Sequence, residues 1–131
     1  MEEAPAGFGL TPAQKPMYQF SYAEIRTDAV ADARDRERQL ISRSIELLVD
    51  AKAAGTRSRQ ATEAMQFLHR IWTSFVADLQ APENSTPPDL RTHLISVGSW
   101  ILAEAEAVRL ARSDNIDGLI DVSTTIRDGL R

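Results

Sequence analysis

The stretch SRQATEAMQFLHRIWTSFVADLQAP, residues 58–82, decides the fold. Its apolar residues recur at Ala61, Met65, Leu68, Trp72, Phe75 and Leu79, and Ile71 and Val76 widen the stripe. Steps of three and four place these side chains on one side of a helix. Ser58 stands where a hydroxyl accepts one of the first free amides, and Pro82 cannot continue the helix. Such a helix does not stand alone in water. A buried large apolar side chain contributes roughly 1.5–3 kcal/mol, whereas ordering costs about 1–2 kcal/mol per residue. One stripe needs partners, and the rest of the chain must supply them.

Working outward, the same spacing starts upstream at about Asp28. Val30, Ala33, Glu37, Leu40, Ile41, Ser44, Leu47, Leu48 and Ala51 form a stripe with two polar members. Asp32 with Arg36, and Asp35 with Arg38, sit at pairing distances on its solvated side. Gly55 is the predicted stop, because glycine takes the left-handed end conformation at little cost. Downstream, Thr86-Pro87-Pro88-Asp89 predicts a helix start with Thr86 as cap and Pro87 in the first helical position. The third helix carries Leu90, Leu94, Val97, Ile101, Ala105 and Val108. Ser113-Asp114-Asn115 breaks it and caps a last helix bearing Ile116, Leu119, Ile120, Ser123, Ile126 and Leu130. No segment alternates apolar and polar residues as a strand would. Short connections favour antiparallel neighbours. The expected fold is all-α, a small antiparallel bundle of about four helices. Its first and last helices have the weaker stripes and are where the core would be incomplete.

Composition narrows the function. With 131 residues, 43% hydrophobic and 26% charged, the chain has material for one core. A formal net charge of −4 is the wrong balance for a protein whose main work is neutralising phosphates. Cysteine is absent, so disulfides, thiolate metal sites and cysteine nucleophiles are excluded. No run approaches the roughly 18 apolar residues that span a bilayer. The start, Met1-Glu2-Glu3-Ala4-Pro5, lacks the cationic and apolar regions of a signal peptide, so a cytoplasmic location is expected. His69 and His93 fall on different helices without a zinc-ligand pattern, and no cofactor or metal is expected. Glu104 and Glu106, two apart on a helix, point in different directions and do not form an acid–base pair; Glu106 instead sits near Arg109. Arg57, Arg59 and Arg70 make the second helix locally basic, which reads better as a solvated face than as a nucleic-acid patch. An enzyme has no supporting constellation.

Residues 1–16 hold three of the six prolines and two of the six glycines without periodicity, and read as a flexible leader or tag-like extension. The domain is expected over 17–131, opening with the aromatic run Tyr18, Phe20 and Tyr22. These aromatics either cap one end of the bundle or anchor a partner. Trp72 lies in mid-stripe and belongs to the core. Trp100 follows Gly98 and Ser99, small residues that allow another helix close, from the same chain or from a partner. Leu94, Val97 and Trp100, with Tyr18, Phe20 and Tyr22, are therefore the candidate partner-binding residues. A bundle left open would expose apolar surface and tend to dimerise.

Several stretches in order resemble a known family. They are Met17-Tyr18-Gln19-Phe20-Ser21-Tyr22-Ala23-Glu24, Ser44-Ile45-Glu46-Leu47-Leu48, Arg57-Ser58-Arg59, Arg70-Ile71-Trp72 and Pro82-Glu83-Asn84. Leu94-Ile95-Ser96-Val97-Gly98, Trp100-Ile101, Glu104-Ala105-Glu106 and Asn115 leading to Gly118-Leu119-Ile120 continue the series. From Met17 to Arg131 the chain resembles FlaF, the flagellar biosynthesis regulator of alphaproteobacteria. The resemblance implies a non-enzymatic role in flagellum assembly, with flagellin as the partner, bound through its terminal amphipathic helices as by a secretion chaperone. It also implies action beside the regulator FlbT. The alternative it leaves is a post-transcriptional regulator that works with FlbT or on flagellin mRNA. Residues 1–16 lie outside the resemblance.

Overall fold

The computed structural model describes the backbone of residues 22–130 and the side chains of residues 29–130. Within them are four helices and no strand: α1 (Tyr22–Ala54), α2 (Arg59–Gln80), α3 (Pro88–Arg109) and α4 (Ile116–Gly129). The chain divides into two compact units, Met1–Asp35 and Arg36–Arg131. In the first, the described backbone is the opening of α1. The second holds the rest of α1 and the other three helices around one apolar cluster.

Each helix end follows from local chemistry. Gly55 closes α1 at φ 106°, and its N–H donates to the Ala51 carbonyl at 2.8 Å. Ser58 caps α2 as expected: its Oγ accepts the Ala61 N–H at 3.1 Å and donates to the Gly55 carbonyl at 2.6 Å. Asn115 caps α4 by accepting the Gly118 N–H at 3.0 Å. The start of α3 differs from expectation. Its cap is Pro87 and its first helical residue Pro88, while Thr86 donates its N–H to Asn84 Oδ1 at 2.9 Å. Asn84 thus shapes the turn in place of a threonine cap, and the preceding proline reserves the helix start for the second proline. The end of α3 was not anticipated either. Leu110 caps it, Ala111 turns left-handed at φ 62°, and Ala111 and Arg112 return their N–H groups to Val108 and Ala107. That pair of bonds is a Schellman closure built without glycine.

α2 and α3 run antiparallel along much of their length. Gly98 faces Trp72 and Val76, while Ala105, Glu106 and Arg109 lie opposite Met65, Gln66 and His69. The core joins Ile41, Leu48 and Ala51 of α1 to Leu68 and Trp72 of α2, Ile101 and Val108 of α3, and Ile116 and Leu119 of α4. Two serines are also buried, Ser44 on α1 and Ser123 on α4. The expected stripes are wider than the buried ones. Val30, Leu40 and Leu90 stay exposed at 45%, 40% and 43%. Leu40 falls a third of a turn from Ile41, at the margin of the buried side, and Leu90 sits in the first turn of α3.

Candidate functional site

Leu94, Val97 and Trp100 lie on one side of α3, spaced by three residues each, and Leu90 precedes Leu94 by one turn. The strip grades from core to solvent. Val97 packs against the apolar cluster, Leu94 is half-buried, and Trp100 is 40% exposed. Trp72, by contrast, is 2% exposed and meets Phe75 edge-on, with ring centroids 5.3 Å apart. Gly98 explains the difference. A Cβ there would come within 2.8 Å of Val76 Cγ2 and 2.9 Å of Trp72 Cε3, so the missing side chain admits α2 of the same chain. The gap serves Trp72, and Trp100 is left on the other flank. Tyr18, Phe20 and the Tyr22 side chain lie outside the described residues.

A second feature had no signal in the sequence strong enough to single out. Met65, Gln66 and His69 of α2 face Ala105, Glu106 and Arg109 of α3 across an open groove of about 350 Å³. Its floor is apolar and its rim charged. Arg109 grips Glu106 with two bonds, Nε to Oε1 at 2.8 Å and Nη2 to Oε2 at 2.6 Å. That hydrogen bond holds the Glu106 carboxyl below the usual carboxylate range against desolvation, with the charges of Arg109, His69 and Arg112 assisting.

Several of the remaining polar residues tie different elements together. Glu104 accepts Asn115 Nδ2 at 2.9 Å and Ser113 Oγ at 3.3 Å, so the two glutamates two apart on α3 take separate partners. Lys52 reaches Asp117 at 2.7 Å, joining the end of α1 to the start of α4, and that hydrogen bond raises the Lys52 pKa. The arginines of the basic stretch are engaged within the chain. Arg57 donates to the Val108 carbonyl at 3.2 Å and lies 3.7 Å from Asp114; Arg59 pairs with Glu63; Arg70 stands 5.7 Å over the Phe67 ring. Among the described residues no group of three or more His, Asp or Glu is placed to hold a metal ion. None of the described helices is long and apolar enough to cross a membrane.

Four amphipathic helices around one core, with an apolar strip left on α3, define a small all-α bundle protein. The family model described as flagellar protein FlaF matches residues 18–130, and the chain belongs to that family. Its role is therefore flagellum-related. No curated protein and no solved structure matches the chain.

Proposed function

We propose that this FlaF protein is a non-enzymatic assembly factor that binds flagellin in the cytosol and promotes its production and export as a secretion chaperone. The strip Leu90, Leu94, Val97 and Trp100 carries the reading, because it keeps two large apolar side chains 43% and 40% exposed on one helix. The ends of flagellin are amphipathic helices that stay unpacked until the filament forms, so their apolar sides need cover. A helix laid against an apolar strip supplies it. Tyr18, Phe20 and Tyr22 would add aromatic anchors to the same partner. Cargo must be released for export, which favours modest affinity.

Titration with full-length flagellin monomer, followed by tryptophan fluorescence, tests the proposal. Trp100→Ala should weaken binding about tenfold, the effect of losing one aromatic anchor, with far-UV circular dichroism unchanged. Binding that survives removal of both flagellin ends would refute helix docking. The competing reading, a regulator acting with FlbT or on flagellin mRNA, rests on Arg57, Arg59 and Arg70. Their charges already serve groups of this chain, so flagellin is preferred. RNA binding that weakens steeply with salt would reverse that preference.

A further inference from the structure

Two rows of residues flank the groove between α2 and α3. On α2, Arg59, Glu63, Gln66, Arg70 and Thr73 follow steps of four and three, so they share one side of the helix. On α3, Arg91, Ile95, Leu102, Glu106 and Arg109 do the same, with Arg91 and Arg109 about five full turns apart. Gln66 of the first row and Glu106 and Arg109 of the second line the groove, which fixes the side that both rows face. Trp100 lies about two and a half turns before Arg109, and therefore on the opposite side of α3.

The charge of this face is opposite in sign to that of the whole chain. The two rows hold four arginines and two glutamates, in a protein of formal net charge −4. Both glutamates are already answered, Glu63 by Arg59 at 3.3 Å and Glu106 by Arg109 at 2.6 Å. Arg70 and Arg91 meet no carboxylate among the described residues; Arg70 lies over the Phe67 ring, which leaves its charge uncancelled. Arg112, exposed just beyond α3, adds a third such cation, because the Glu106 carboxylate near it is gripped by Arg109. Between these cations the groove floor is apolar, with Met65 and Ala105 on it, and its volume of about 350 Å³ has room for a large side chain.

We infer that the α2–α3 groove is a second docking surface, which takes an acidic segment of another protein: an apolar side chain seats over Met65 and Ala105, and flanking carboxylates meet Arg70, Arg91 and Arg112. Complementary charge of this kind selects the partner and speeds encounter. The inference does not rest on the flagellin-binding reading, which uses the other side of α3. An acidic protein suits the face better than a nucleic acid does. A phosphate chain laid along it would run past Glu63 and Glu106, and neither row offers an aromatic ring on which bases could stack.

Fluorescence anisotropy of the full chain with a labelled synthetic peptide tests this, the peptide carrying glutamates on both sides of one phenylalanine. It should bind saturably, and more weakly as salt rises. Replacing its glutamates by glutamine, or its phenylalanine by alanine, should weaken binding about tenfold. Arg70→Glu and Arg112→Glu should each do the same, with far-UV circular dichroism unchanged, since both side chains are exposed. Arg43→Glu makes the same change of net charge on α1, away from the groove, and should leave peptide binding as it was. A peptide bound no better than its glutamine version overturns the inference, and so does an equal loss in Arg43→Glu. Single-stranded RNA that binds more tightly than the peptide and is lost in Arg70→Glu would make nucleic acid the occupant instead. Dimerisation in sedimentation that Arg70→Glu and Arg112→Glu abolish would make it a second copy of this chain. Either result overturns the inference without touching flagellin binding at Trp100.

Discussion

The two left-handed helix ends make a paired prediction of opposite signs. Ala111 occupies φ 62° where glycine is the usual residue, while Gly55 occupies φ 106° at the end of α1. A left-handed alanine costs about 1–2 kcal/mol relative to the right-handed region. Glycine at that place loses about 0.4–1 kcal/mol of this through the freedom it adds to the unfolded chain. Ala111→Gly should therefore stabilise the protein by about 0.5–1 kcal/mol, a rise of about 2–4 °C in Tm for a domain of this size. Gly55→Ala should cost about 1–2 kcal/mol, since residues held in such regions carry strain of order 1–3 kcal/mol. A Cβ on Gly55 would meet nothing within 4 Å, so packing does not confuse the comparison. Urea denaturation followed by tryptophan fluorescence, with an unchanged m-value, measures both. An Ala111→Gly variant no more stable than the parent would refute the strained Schellman closure. A neutral Gly55→Ala would refute the glycine stop.

Three further perturbations probe other parts of the bundle. Gly98→Ala should destabilise by about 1 kcal/mol in the same assay, because overpacking costs about 1–3 kcal/mol and helix propensity returns about 0.8–1 kcal/mol. A gain in stability would show that Trp72 and Val76 have room to move. Ser58→Ala should cost about 1 kcal/mol and speed exchange of the first α2 amides, as loss of a side-chain cap does. The exposed pairs should leave opposite marks on pH dependence. Glu106 has a lowered carboxyl pKa, so its contribution is present above the ordinary glutamate value and lost as pH falls through its folded value. Lys52 has a raised pKa, so its contribution is present below the ordinary lysine value and lost as pH rises through its folded value. Glu106→Gln should flatten the acid limb of the stability curve slightly and Lys52→Gln the alkaline limb. Salt should shrink both effects, and salt-independence would contradict the solvent exposure of these pairs.

What the sequence determined by itself was local. The three-and-four spacing through Ala61, Met65, Leu68, Trp72 and Leu79, the cap at Ser58, the stop at Gly55 and the cap at Asn115 all appear where the residues place them. Each depends on groups no more than about four residues apart, within reach of helix geometry alone. The ordered stretches from Met17 onward likewise sufficed for the family, which the match over residues 18–130 shows. What only the tertiary structure decided was which apolar residues find something opposite them. Leu40 and Leu90 fit their stripes yet remain exposed, because burial depends on a neighbouring helix and not on period. Gly98 could have admitted a helix from this chain or another, and the approach of Trp72 settles that it admits α2. The turn at Ala111 carries no glycine to announce it, and its geometry is imposed by the return of the chain from α3 into α4. The partnerless Ser123 was one polar residue in a periodic stripe; only its full burial among the packed helices makes it a cost.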